Sequence, residues 1–333
     1  MSIKVMTPGL LTSIQDLGRS GYQKYGVIVS GGMDSYSLRL ANMLVGNEEG
    51  EAVLEITLVG PTLLLEEDIL LAITGGDLSP TINGQPIPMG RPILVKQGSV
   101  LKFGVCQSGC RAYLAVRGGY NIPEVMGSKS TYIRAGIGGY QGRALLAGDV
   151  LLIKEPQTDL PLLVSLSKKL GSHSFAFTSW YVGKFYTSQK SQEYIIRVMP
   201  SSQFEFFTSD SREHFFQQAF KITTQSDRMG YRLAGPRLQL AEPLEMVSEA
   251  VALGTIQVPP DGNPIVLLAD RQTVGGYPKI AQVAAVDNAY LAQVKPGETI
   301  RFQEISLAEA EGLYVAREKE MEQLKIAIQY HLL

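Results

Sequence analysis

Residues 265–278 read Ile265-Val266-Leu267-Leu268-Ala269-Asp270-Arg271-Gln272-Thr273-Val274-Gly275-Gly276-Tyr277-Pro278. An apolar run from Ile265 to Ala269 meets Asp270, Arg271, Gln272 and Thr273, and a tight turn follows. A buried strand that carries a charged pair and two hydrogen-bonding side chains to a glycine turn is a way for a β-barrel to build a site at its mouth. The competing reading is a hairpin with a solvated tip, because paired glycines are also ordinary hairpin chemistry.

Outward from that stretch the chain has the punctuation of a β protein. Its 34 glycines and 17 prolines separate short runs rich in Val, Ile and Leu, among them Thr62–Leu65, Ile69–Thr74, Val100–Phe103, Ala112–Val116, Ile195–Val198 and Thr299–Phe302. The expected fold is mainly β, with two tandem β-barrel subdomains and few short helices. Asp34 or Ser35 is placed to cap a helix through Leu44, and Ser209 one through Phe220.

The tandem arrangement rests on an internal echo. Gly60-Pro61 follows the first helix and Gly235-Pro236 the second. Gly98-Ser99-Val100-Leu101-Lys102-Phe103 leading to Ala112–Ala115 is matched by Gly297-Glu298-Thr299-Ile300-Arg301-Phe302 leading to Leu313–Ala316. Two related units in series account for four landmarks in order. The second copy is longer, and its surplus falls around residues 254–287. The expected organisation is a first barrel over 1–155, a linker region over 156–192 marked by Pro156, Pro161 and Gly171, a second barrel over 193–305, and a helix over 306–333. Leu313, Met321, Leu324 and Ile328 would share one face of that helix.

Residues 117–149 form a glycine-rich loop. Its amides, with Ser128, Lys129, Ser130, Thr131 and Arg143, could hold a carboxylate or phosphate. A flexible connector is the alternative.

Composition bounds the function. The chain has 333 residues, 45% apolar and 19% charged, with a net charge of −2. Such a chain advertises neither nucleic acid nor an anionic membrane as partner. The N-terminus lacks a signal-peptide core, and the expected compartment is the cytoplasm. Cys106 and Cys110 are expected as buried free thiols. His173, His214 and His331 have no ligand spacing, so no metal site is expected. No P-loop occurs, nor any Ala-Met-Lys-Met biotin-attachment motif.

The longer motifs resemble one family. Gln15-Asp16-Leu17-Gly18-Arg19, Gly32-Met33-Asp34, Ala41-Asn42, Leu54-Glu55, Gly127–Tyr132, Ser226-Asp227-Arg228-Met229-Gly230-Tyr231-Arg232, Gly254–Pro259 and Ala269–Pro278 are similar to the KipA-type proteins. These include the 5-oxoprolinase C subunit and the carboxyltransferase (allophanate hydrolase subunit 2) module of urea carboxylase. The resemblance covers nearly the whole chain. One departure is Lys129, where arginine is expected of the family; a bidentate clamp would be weakened there and a point charge would survive.

The resemblance implies cyclophilin-like β-barrels and a KipI-type partner (like the 5-oxoprolinase B subunit), with an A-subunit-like protein alongside. On the 5-oxoprolinase pattern the complex opens a lactam to glutamate at the expense of ATP. On the urea carboxylase pattern the module passes a carboxyl group from carboxybiotin to a urea-like nitrogen. A third role is regulatory: antagonising a KipI-type histidine-kinase inhibitor. No covalently bound cofactor is expected; ATP in the complex would use an unfamiliar nucleotide-binding site or belong to a partner, and biotin would arrive on another protein.

Either reaction handles a small amide substrate, with cations for oxyanion charge and a carboxylate for nitrogen. Arg271 and Arg228 are candidates for the first role, Asp270 and Asp227 for the second. Gln257, Gln272, Thr273 and Tyr277, with Gly275 and Gly276, would bind the amide, joined by Ser128, Lys129, Ser130 and Arg19. An ion pair that fixes a loop is the competing reading for each Asp–Arg neighbour pair.

Overall fold

The computed structural model describes residues 1–156, 160–183 and 193–333. The chain divides into two compact units, the first made of Met1–Arg19, Ser30–Ser188 and Met321–Leu333, the second of Ser20–Val29 and Gln189–Glu320. The expected boundaries at 155 and 306 therefore shift. The tail joins the first unit through buried Met321 and Ile328 and through Lys325, whose Nζ lies 3.0 Å from Glu49 Oε1.

The first unit holds two six-stranded sheets. One orders Val150–Leu152, Ser2–Thr7, Thr62–Leu65, Val100–Lys102, Thr81–Ile82 and Gln85–Pro86. The other orders Phe175–Phe177, Ile93–Val95, Ile69–Asp77, Ser108–Val116, Val53–Thr57 and Leu11–Gln15. Alternating residues such as Ile3 and Val5, Leu63 and Leu65, Leu71 and Ile73 feed one buried core, each side chain contributing about 1.5–3 kcal/mol. The helix Ser35–Leu44 is capped as expected: Asp34 accepts from Ser37 N at 2.9 Å and Ser37 Oγ at 2.6 Å. Other family motifs are also structural here. Glu55 accepts from Met33 N at 2.7 Å and from the Tyr113 hydroxyl at 2.8 Å, and Asn42 Nδ2 donates to Glu51 O at 2.6 Å.

The region read as linker is partly built structure. Pro161–Leu170 is a helix and Phe175–Phe177 a strand paired antiparallel with Ile93–Val95. Pro161 and Gly171, taken as loop punctuation, are the helix boundaries: proline is tolerated in a first turn, where the missing N–H has no partner anyway, and glycine follows the last turn. Within the linker, residues 157–159 and 184–192 lie outside the described residues.

The second unit is a closed barrel in the order Glu193–Pro200, Lys279–Val283, Thr255–Gln257, Ile265–Leu267, Gly230–Ala234, Ala219–Ile222, Thr299–Glu304. All neighbouring pairs are antiparallel except Glu193–Pro200 with Thr299–Glu304. Period-two patterning sends Ile196, Val198, Tyr231, Leu233, Ile256, Val266, Ile300 and Phe302 inward. Phe215 of the helix Ser209–Gln217 stacks on Phe302 with ring centroids 4.6 Å apart. That helix is capped by Thr208, whose hydroxyl accepts from Ser211 N at 3.2 Å, rather than by Ser209. It stops at Gln217, and Phe220 belongs to the next strand.

The echo holds in part: Gly98 and Gly297 both lead into strands, Val100–Lys102 and Thr299–Glu304, whereas the Gly-Pro and final landmarks are not equivalent elements. Gly60-Pro61 opens the strand Thr62–Leu65, whereas beyond Gly235-Pro236 Leu240 makes only an isolated bridge to Phe207. Ala112–Ala115 is strand, but Leu313–Ala316 lies in the helix Leu307–Leu332. The cause is a capping box. Ser306 Oγ accepts from Glu309 N at 3.2 Å and Glu309 Oε2 accepts from Ser306 N at 2.7 Å, which starts a helix before those residues can pair as a strand.

Candidate functional site

The strand Ile265–Leu267 is flanked by Gly230–Ala234, with Arg232 opposite Ile265, and by Thr255–Gln257, with Gln257 opposite Ile265. Arg232, Ile265 and Gln257 thus form one row across three strands. They face away from Tyr231, Val266 and Ile256, which fill the core. Over this row lies a cavity of about 190 Å³, closed by Asp227 and Met229 on one side and by Arg271, Gln272 and Tyr277 on the other. Gly230 in the next row leaves it room. The site therefore sits on the outer face of the barrel wall rather than at the barrel's mouth. An adjoining cavity of about 300 Å³ shares Arg232, Ile265 and Tyr277.

Arg271 is half-buried. Its Nη1 donates to Leu268 O at 3.3 Å, and among the described residues it makes no salt bridge. Burial pushes its pKa below the ordinary guanidinium value, since taking a cation out of water without a counter-charge disfavours the charged form. Arg232, exposed at the rim, is likewise without a salt bridge among the described residues. Gln257 is buried, with Nε2 3.5 Å from Tyr277 O. A Cβ on Gly275 would collide with its amide, so glycine at that position keeps Gln257 against the cavity.

The acid and guanidinium that sequence adjacency suggested as partners are paired differently. Arg228 Nε lies 2.9 Å from Asp270 Oδ2 and Nη2 3.0 Å from Oδ1, a bidentate fork with both side chains buried. Asp270 N also donates to Arg228 O at 2.9 Å. Neither residue lines the cavity; together they lock the Asp227–Met229 turn to the Asp270–Arg271 turn. Asp227 Oδ1 accepts from Met229 N at 2.8 Å and Gly230 N at 3.2 Å, which shapes its turn and leaves the residue at the rim. Thr273, Gly275 and Gly276 do not line the cavity either. Val274–Gly275 pairs with Glu249–Ala250 as a two-stranded ribbon, and Thr273 O accepts from Val251 N.

Ser128, Lys129, Ser130 and Arg19 lie in the first unit, and their polar groups are turned onto its own chain. Asp16 Oδ1 accepts from Gly18 N at 2.8 Å, Ser128 Oγ at 2.7 Å and Ser130 Oγ at 2.5 Å, and Oδ2 from Lys129 N at 2.6 Å. Arg19 donates to Ser130 O and Val125 O. The glycine-rich loop is stapled to the end of the strand Leu11–Gln15 instead of presenting an anion cradle. Arg143 is held by Asp149 at 2.7 Å. Lys129 Nζ lies 2.5 Å and Lys154 Nζ 2.8 Å from Glu51, so Lys129 acts as a point charge.

Burial alone would raise the Glu51 carboxyl, but hydrogen bonds from Lys129, Lys154 and the Ala52 amide outweigh it and hold the group below its ordinary value of 4.5. A depressed folded pKa stabilises above the unfolded value and is lost as pH falls through the folded one. Urea midpoints should therefore fall as pH drops below about 4.5, and Glu51→Gln should flatten that part of the profile.

Sequence reasoning missed Arg232. The signal was present: it ends the quoted 226–232 motif and alternates with buried Tyr231 on the outward face of a strand.

A family model described as carboxyltransferase domain, subdomain A and B, matches residues 25–304. The chain belongs to this carboxyltransferase-domain family. The 5-oxoprolinase C subunit of Haemophilus influenzae is 37% identical over 313 residues, 94% of each chain. The Escherichia coli protein of the same name is 35% identical over 97% of each. Among solved structures, Kluyveromyces lactis urea carboxylase superposes with a TM-score of 0.87 at 35% identity over 97% of this chain, which spans only 29% of the larger enzyme. Cys106 is half-buried and Cys110 buried, and neither is in a disulfide among the described residues. No helix among the described residues is long and apolar enough to cross a membrane.

Proposed function

We propose that the chain is one subunit of an ATP-dependent 5-oxoprolinase-type amidohydrolase, working with a KipI-type partner. The observation that carries this reading is the half-buried Arg271 guanidinium, without a salt bridge among the described residues, beside the Gln257 amide on one small cavity. 5-Oxoproline offers the complement: a carboxylate for Arg271 and Arg232 and a lactam for Gln257 to orient. A guanidinium within reach of the lactam carbonyl would also take up charge as the ring opens. Near-full-length similarity to two 5-oxoprolinase C subunits supports the same substrate class.

The cavity over Gln257, at about 190 Å³, is by itself smaller than the roughly 300 Å³ at which sites for drug-sized ligands begin. Its amides are not arranged at a helix N-terminus. In this reading ATP is handled by another protein of the complex.

A second reading, a carboxyltransferase component that acts on a urea-like amide, is favoured by the superposition on urea carboxylase. The same cavity would take the amide, and biotin would be carried by another chain.

Reconstitution with the partner proteins separates the two. The expected result is ATP-dependent release of glutamate from 5-oxoproline only when this chain is present, with KM raised about tenfold by Gln257→Leu, the loss of one buried amide contact. Turnover that persists without this chain would sink the proposal. Carboxylation of a urea-like amide in its place would establish the second reading.

A further inference from the structure

The first unit contains a cavity that the site above does not use. It measures about 290 Å³ and lies among the helix Ser35–Leu44, the turn at residues 87–91 and the segment 181–183. We propose that it binds a small monocarboxylic acid with a flat apolar body.

The anion-binding element is Arg91. Its Cζ lies 5.4 Å from the Phe177 ring centroid and 4.8 Å from that of Tyr181. Its Nη1 donates to Thr178 O at 2.9 Å. Two aromatic rings and a carbonyl therefore fix the guanidinium plane before any ligand arrives. Nε is buried and has no hydrogen-bond partner, and Arg91 makes no salt bridge among the described residues. A guanidinium without a counter-charge gains most from a charge-assisted bond with an anion.

The rest of the lining sets the ligand's body. Leu40, Ile87, Met89 and Tyr36 make the wall mostly apolar, with the exposed Tyr181 at its edge. Asp77 stands on the same wall, its Oδ1 accepting from Ser79 N at 3.0 Å. Arg91 is the one cation among the described lining residues, so a single negative charge is matched, and phosphate or a dicarboxylate brings further charge with no partner.

The cavity is preformed. Val182 N donates to Gly90 O at 2.8 Å, and Gly90 has φ +70° with Val182 O where a Cβ would be. Only glycine lets the segment lie so close to the turn.

The test is equilibrium binding of phenylacetate to the full chain by calorimetry, with uncharged 2-phenylethanol and inorganic phosphate as comparisons. Saturable one-to-one binding of phenylacetate is expected, weakened about tenfold or more by Arg91→Gln, the loss of a charge-assisted contact. Met89→Trp, which fills the cavity while keeping Arg91, should abolish binding without lowering the melting temperature. It decides the matter even if Arg91→Gln fails to fold. The proposal is overturned if phenylacetate does not saturate, if 2-phenylethanol or phosphate binds as well, or if both variants bind like the parent.

Discussion

Asp270→Ala is expected to lower the stability of the second unit by about 3–5 kcal/mol. The change leaves Arg228, 5% exposed, without its bidentate carboxylate, and a buried cation stripped of its counter-charge costs far more than the pair contributed. The paired replacement Arg228→Met with Asp270→Leu removes both charges and should restore most of the loss, since a buried ion pair is often no better than apolar side chains of similar size. Urea denaturation of the single and double variants closes the cycle. If Asp270→Ala left the urea midpoint unchanged but abolished turnover, Asp270 would be acting on substrate and the clamp assignment would be wrong.

This pair shows what a sequence withholds. Adjacency suggested Asp270 with Arg271 and Asp227 with Arg228. Partner choice was made by the strand register, which sets the residues before Gly230 against those after Leu267, so that Arg228 meets Asp270 and Arg271 is left over the cavity without a salt bridge among the described residues. No local pattern encodes a register between strands that are roughly 35 residues apart in the chain. The β class, by contrast, was legible, because period-two burial in stretches such as Thr299–Phe302 and Ile195–Val198 is local.

The first-unit motifs misled for a related reason. Ser128, Lys129 and Ser130 are the residue types that hold anions, and here they hold one: the carboxylate of Asp16. A motif specifies hydrogen-bonding capacity but not whether a ligand or the chain itself consumes it. Pro161 and Gly171 carry the same ambiguity, since helix boundaries and loops share those residues. The capping box at Ser306 and Glu309 was readable in advance, and weighing it would have kept Leu313–Ala316 from being matched to Ala112–Ala115.

Arg271→Met should have the opposite profile to Asp270→Ala. Arg271 commits one hydrogen bond to Leu268 O and makes no salt bridge among the described residues, and burial already works against its charge. Replacing it with an apolar chain of similar length relieves that desolvation, so the urea midpoint should hold or rise slightly. A bidentate guanidinium–carboxylate contact is made of charge-assisted bonds worth about 1.5–3 kcal/mol each. On the proposed 5-oxoprolinase reading, its loss should lower kcat/KM for 5-oxoproline in the reconstituted complex about a hundredfold. Arg271→Lys should recover only part of this, because an ammonium keeps the charge but not the planar fork. Stability preserved with turnover lost would mark Arg271 as a substrate ligand. An equal fall in both would make it one more strut of the turn, and the cavity would then need another anion-binding group, for which Arg232 on the neighbouring strand is the remaining cation among the lining residues.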